Sequence, residues 1–239
     1  MAMRSNQTFM SQRVLVVEAH PDDAEWYCGG TIAKLAREGA EITFVICTEG
    51  EKGSYDANAN PVELARTRKR EQEAARAWMG VREIVYLGVP DGELQPTLEM
   101  RKRLALLYRQ YRPEILLTFD PWKRDELHPD HRACGTVALD ARLAAKMPLY
   151  YPNAENRAPW ATPQLWLFNT DAPNHFVDVS ETFDTRVAAL KLHASQSVSD
   201  AQNIAYVTET ARAIGEKIGV EYAEAFHRLV IEGNLARSG

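Results

Sequence analysis

An α/β fold, with a Rossmann-like, mostly parallel sheet covered by helices on both faces and a helical C-terminal third, is the class that this 239-residue sequence predicts. Three observations carry it. Short, β-branched apolar runs alternate with helical patterns of ten or more residues, the signature of βαβ crossovers. The runs are apolar almost throughout, as strands buried on both faces must be. The length suits one large domain at roughly 100–200 residues per domain, and no internal repeat or low-complexity tract interrupts it.

Each element follows from local chemistry. Arg13–Ala19 (RVLVVEA) is a buried strand that stops at His20-Pro21, where proline ends the ladder. From Gly29 the segment GGTIAKLAREG sets Ile32, Leu35 and Ala36 at helical spacing and closes on Gly39. Strands are predicted at Glu41–Cys47, Glu83–Leu87 and Glu114–Phe119, with helices over Pro61–Met79 and Leu98–Tyr111 between them. Another helix runs from Asp130 to Ala145. Pro148–Pro163 holds four prolines and several aromatics, so it reads as a long surface loop. Its Tyr150, Tyr151 and Trp160, with nearby Trp166, suit packing or oligomer contacts. Two strands follow at Leu165–Phe168 and His175–Val179, then helices over Thr182–Ser195, Asp200–Gly215 and Val220–Ile231. Residues 1–239 are expected to form one domain, with 1–12 as a flexible tail.

Composition narrows the partners. There are 28 Lys+Arg against 33 Asp+Glu, a net charge of −5, and no basic stripe; nucleic acid and anionic membranes are disfavoured. Three cysteines without C-x-x-C spacing point to a reducing compartment and away from a thiolate zinc site. No apolar run approaches about 18 residues, and the polar start has no signal-peptide core, so the protein is expected in the cytoplasm.

In open α/β sheets, ligands bind beyond the carboxyl ends of the strands. Two strand-to-helix loops there carry unusual chemistry: His20-Pro21-Asp22-Asp23 after the first strand, and Asp120 to His131, ending His128-Pro129-Asp130-His131. Together they hold three of the six histidines and many carboxylates. Neutral imidazoles with a carboxylate are what zinc or ferrous iron prefers, and a catalytic zinc wants three protein ligands with one position open. His20, one of the two aspartates and one of the two later histidines would supply them. Each motif alone is common in surface turns; their joint occurrence at one end of a parallel sheet is not decoration. No nucleophile elbow or P-loop is present. Cys28-Gly29-Gly30 lacks the dinucleotide-binding spacing.

The segments AHPDDAEWYCGGTIAKLAREGAEITFVICTEGEKGS, TRKREQEAARAWMGV, LGVPDGEL, HPDH and KLHASQ, in this order from Val14 to Gln196, resemble the zinc-dependent de-N-acetylases of the LmbE-like or PIG-L type. That family removes acetyl groups from N-acetylglucosamine units. The resemblance implies His20, Asp23 and His131 as ligands of one Zn2+ per chain, with Fe2+ as the alternative. It implies Asp22 as general base and a protonated His128 facing the oxyanion that develops as metal-bound water attacks the amide. It places Arg68, in the R-x-x-E segment, near a substrate hydroxyl or against the metal loop. Asp130 orients an imidazole or caps a helix, and His193, in a helical H-x-S-Q segment, lies at the edge of the site. His175 and His227 receive no role. The implied substrate is a small N-acetylated amino sugar or glycoconjugate, and relatives of this type assemble as trimers or hexamers. Two other readings stand beside it: a ferrous oxygenase using a two-histidine, one-carboxylate set, and a sugar- or metal-binding protein without turnover.

Overall fold

The computed structural model describes residues 12–152 and 157–231. The tail expected over 1–12 lies outside the described residues except for Gln12, whose carbonyl accepts the Glu41 N–H. Strands β1 (Arg13–Glu18), β2 (Glu41–Thr48), β3 (Glu83–Val89), β4 (Ile115–Phe119) and β5 (Gln164–Phe168) alternate with helices α1 (Asp23–Arg37), α2 (Pro61–Met79), α3 (Leu98–Tyr111) and α4 (Pro129–Lys146). Strand β6 (His175–Asp178), helices α5 (Phe183–Lys191) and α6 (Ala201–Glu216) and strand β7 (Ala223–Val230) complete the described chain. The sheet order is β3-β2-β1-β4-β5-β7-β6, parallel from β3 to β5, with β7 antiparallel to both of its neighbours.

The chain builds outward from β1, first to β2 and β3, then back across to β4 and β5. The carboxyl ends of β1 and β4 are therefore adjacent at the point where the strand order reverses, and a crevice opens there. Val14, Leu15, Val16 and Val17 of β1 and Ile115, Leu116 and Leu117 of β4 are buried on both faces, which anchors the roots of the two loops that follow. Helix caps fix the helix starts. Asn60 accepts from the Val62 and Glu63 N–H groups ahead of α2, and Thr97 from Met100 ahead of α3.

Two parts of the C-terminal third differ from expectation. Val220–Ile231, predicted helical, contains strand β7 inserted between β5 and β6. Its Ala-Glu-Ala-Phe-His-Arg-Leu sequence contains good helix formers, but two strands with open hydrogen-bonding edges flank it, and ladder pairing on both sides overrides the weak local preference. Helix α5 ends at Lys191, so His193 lies in the turn after it rather than within a helix.

Helix α1 begins at Asp23, earlier than predicted, and breaks at Cys28 (φ −149°, ψ 21°). The break is stabilised from β7 and α5. The Glu224 carboxylate accepts the Gly30 and Thr31 N–H groups (2.9 and 2.8 Å), acting as a cap for the second half of the helix. Arg186 donates to the Glu25 carbonyl and pairs with Glu224 at 3.1 Å. A Cβ on Gly30 would lie 2.9 Å from Glu224 Oε1 and from Val179 Cβ, which explains the glycine. The Gly29-Gly30 pair thus serves internal packing.

The described part of the Pro148–Pro163 loop packs as expected of its aromatics. Arg101 lies over Tyr150, Lys102 over Tyr151, and Arg13 and Arg112 over Trp160. Residues 153–156 lie outside the described residues. Among those described, no helix is long and apolar enough to cross a membrane.

Candidate metal and active site

The two loops predicted to carry the chemistry meet in the β1/β4 crevice. Their three histidine rings cluster: His20 lies 4.6 Å from His128 and 5.2 Å from His131 between ring centroids, and His128 lies 4.4 Å from His131. Asp23 sits between two of them, with Oδ2 3.3 Å from His20 Nδ1 and Oδ1 3.4 Å from His131 Nε2. The same Oδ2 accepts the Ala19 and His20 N–H groups (3.1 and 2.7 Å), so the loop folds back onto its own carboxylate. Burial alone would raise the Asp23 pKa, yet His131 and His20 hold it far below the usual carboxylate range.

His20 is gripped on its other side. Nε2 lies 3.2 Å from both Asp130 Oδ2 and Asp91 Oδ1. With the proton on Nε2 shared toward these carboxylates, the Nδ1 lone pair faces Asp23, the arrangement a metal-ligating histidine needs. Burial opposes a charge on His20, but Asp23, Asp130 and Asp91 outweigh it and raise its pKa. The field at this spot calls for positive charge, which a proton or a divalent cation can supply. Among the described residues, His20, His128 and His131, and separately His20, Asp91 and Asp130, bring ligand atoms within 4.8 Å of one another, so the site offers imidazole and carboxylate donors of the kind zinc or ferrous iron takes.

Asp22 occupies a left-handed backbone position (φ 109°), uncommon for a non-glycine residue. Three contacts impose it. The Gln72 side chain accepts the Asp22 N–H (2.9 Å), while Arg68 Nη2 donates to the Pro21 carbonyl and to Asp22 Oδ2 (2.6 and 3.1 Å). Arg68 and Gln72 are one helical turn apart on α2 and present the same buried face to the loop. Burial, opposed by Arg68 and reinforced by Asp23, leaves the Asp22 pKa raised. Arg68 Nη1 also donates to the Gly50 carbonyl, and a Cβ on Gly50, where φ is 65°, would collide with the guanidinium. Arg68 therefore braces the His20–Asp23 loop.

His128 caps α4: its Nδ1 accepts the Asp130 N–H (3.3 Å), with Pro129 at the first helical position. A neutral His128 then carries its proton on Nε2. Burial, with His20 and His131 nearby, lowers its pKa. Asp130, fully buried, accepts from Gly92 and Leu94 as well as facing His20. It thus orients an imidazole, while the capping falls to His128.

Comparison with known proteins decides the family. Residues 15–142 match the family described as PIG-L, GlcNAc-PI de-N-acetylase. The chain belongs to the PIG-L family. It is 33% identical to the diacetylchitobiose deacetylase of Thermococcus kodakarensis, covering 89% of this chain and 81% of that protein. To the 1D-myo-inositol 2-acetamido-2-deoxy-alpha-D-glucopyranoside deacetylase of a Mycobacterium species it is 30% identical, covering 77% of this chain and 74% of the relative. The solved N,N'-diacetylchitobiose deacetylase of Pyrococcus horikoshii superposes with a TM-score of 0.87 at 32% identity, covering 92% of this chain and 85% of that one.

This PIG-L chain holds further groups in the crevice that the sequence left without a role. Asp91 follows β3 in a Pro-Asp-Gly turn and reaches His20. Gln72 links Asp22 to Glu25, donating to Glu25 Oε1 at 2.7 Å. Glu126 Oε1 lies 3.4 Å from His131 Nδ1. The turn residues of Pro90-Asp91-Gly92 and the i, i+4 spacing of Arg68 and Gln72 were visible signals; Glu126 was one charge among many. His193 is fully buried behind the site, its Nε2 3.7 Å from Glu25 Oε1. Glu71 accepts both the N–H and the hydroxyl of Ser195, so the R-x-x-E and H-x-S-Q segments are tied to each other.

Proposed function

We propose that the chain is a zinc-dependent, single-domain de-N-acetylase, hydrolysing the linear amide of an N-acetylglucosamine-containing small molecule or glycoconjugate. The observation that carries this reading is the meeting of the H-P-D-D and H-P-D-H loops at the sheet's reversal point, with the buried Asp22 and Asp23 carboxylates beside three clustered imidazoles. His20, Asp23 and His131 would hold the ion. Bound there, zinc supplies Lewis acidity toward the amide carbonyl and lowers the pKa of water to about 7.

The remaining steps belong to the chain's own groups. Arg68 holds Asp22 Oδ2, which leaves Oδ1 to take the proton of the attacking water. Burial, opposed by Arg68, pushes the Asp22 carboxyl above the usual aspartate range. As the amide carbon becomes tetrahedral, His128 offers Nε2–H to the developing oxyanion. Asp22 then returns its proton to the departing amine, and acetate and the free amino sugar leave.

The oxygenase alternative gives way to PIG-L membership and the parallel α/β sheet. A binding protein without turnover would have no use for a strained, braced Asp22. Free, buried Cys28, Cys47 and Cys134 support a reducing compartment, the cytoplasm. The test is amine release from a panel of N-acetylglucosamine compounds. Release that depends on added zinc is expected; no release from any member of the panel by fully loaded protein would refute the reading.

A further inference from the structure

Glu126 stands in the charged segment before H-P-D-H and belongs to neither motif. It is half of a contact that the donor set does not account for. His131 Nδ1 is buried and lacks a hydrogen bond, and the polar atom facing it is Glu126 Oε1 at 3.4 Å. The opposite nitrogen of the ring, Nε2, faces Asp23. The carboxylate itself is held in place from two sides. Oε1 accepts the His128 N–H (3.0 Å), and Oε2 accepts Asn169 Nδ2 (2.5 Å) from the residue after β5. Lys123 Nζ donates to Asn169 Oδ1 and lies 3.9 Å from Glu126 Oε2. His131 is further clamped flat against Phe119, with ring centroids 4.1 Å apart.

We propose that Glu126 is the positioning residue for His131. It accepts the Nδ1–H, so that the ring presents its Nε2 lone pair beside Asp23 and becomes a more basic donor. This rests on the ligand role proposed for His131. His20 has the same support from Asp130 and Asp91. Each of the two imidazoles of the set then has a carboxylate behind it, and the Lys123, Asn169 and Glu126 chain extends the metal site to the end of β5.

The experiment measures the zinc dissociation constant of intact protein by competition with a chromophoric chelator, for wild type, Glu126→Gln, Glu126→Asp and Asn169→Ala. Glu126→Gln is expected to weaken zinc about 10–100-fold. Glu126→Asp should recover most of that loss, and Asn169→Ala should show a smaller loss. Metal-free melting temperatures, unchanged among the variants, would separate positioning from folding. At saturating zinc the KM of Glu126→Gln should stay near wild type, because the carboxylate oxygens are taken up by His128, Asn169 and His131. A Glu126→Gln affinity within twofold of wild type would overturn the proposal while leaving the function intact. Wild type that binds no zinc would instead sink the function reading on which it rests.

Discussion

Two clusters of buried charge lie on either side of α1, and they are built to different rules. Behind the helix kink, Glu224 accepts two backbone N–H groups and pairs with Arg186, whose guanidinium in turn donates to the carbonyls of Glu25 and Trp26. Every oxygen of that carboxylate is engaged. In and behind the β1/β4 crevice, Glu18 Oε1, Glu25 Oε2, Arg68 Nε, His131 Nδ1 and both nitrogens of His193 are buried without a hydrogen bond, and Asp22 is held in a disfavoured backbone conformation. A structural ion pair is worth keeping only when its polar atoms are satisfied. Orphaned groups and strain persist where the surrounding structure imposes them and chemistry uses them.

That contrast can be broken by experiment. Stripping metal with a chelator should abolish amine release, and adding zinc should restore it, with the fold unchanged by far-UV circular dichroism. Next in size, Asp22→Asn keeps the shape and the Arg68 contact but removes the base, so kcat should fall about 100- to 10,000-fold with zinc content unchanged. A near-normal rate would put the base elsewhere. On the structural side, Glu224→Ala strands a buried guanidinium and two N–H groups. A loss of about 3–5 kcal/mol by denaturant unfolding is expected, with kcat of the folded fraction preserved. Gly30→Ala pushes a methyl against Glu224 and Val179 and should cost about 1–3 kcal/mol. The smallest effect is expected from Asn60→Ala, which removes an exposed α2 cap remote from both clusters, at about 1 kcal/mol. Should Glu224→Ala impair kcat as much as Asp22→Asn does, the division between the two clusters would be wrong.

What could be read in advance follows the same division. His20, Asp22, Asp23, His128 and His131 stand in two short motifs, each at the end of an apolar strand, so their convergence followed from parallel topology alone. Asp91 and Glu126 were not legible in the same way. Asp91 meets His20 only after two crossovers place β3 and β1 in one sheet, and the worth of Glu126 depends on Asn169, 43 residues away. Strand β7 was hidden for a related reason. Its local composition favours a helix, and only the open edges of β5 and β6 make it a strand. The Cys28 break in α1 depends on Glu224, almost 200 residues later, which no local pattern announces.

His20, Asp23 and His131 are proposed to hold one zinc while His128 faces the substrate. Metal analysis of three purified proteins tests this assignment directly. About one zinc per chain is expected in wild type and in His128→Ala, with bound zinc lost in His131→Ala. Full zinc in His131→Ala, with loss in His128→Ala, would contradict it by moving the ligand one helical turn back.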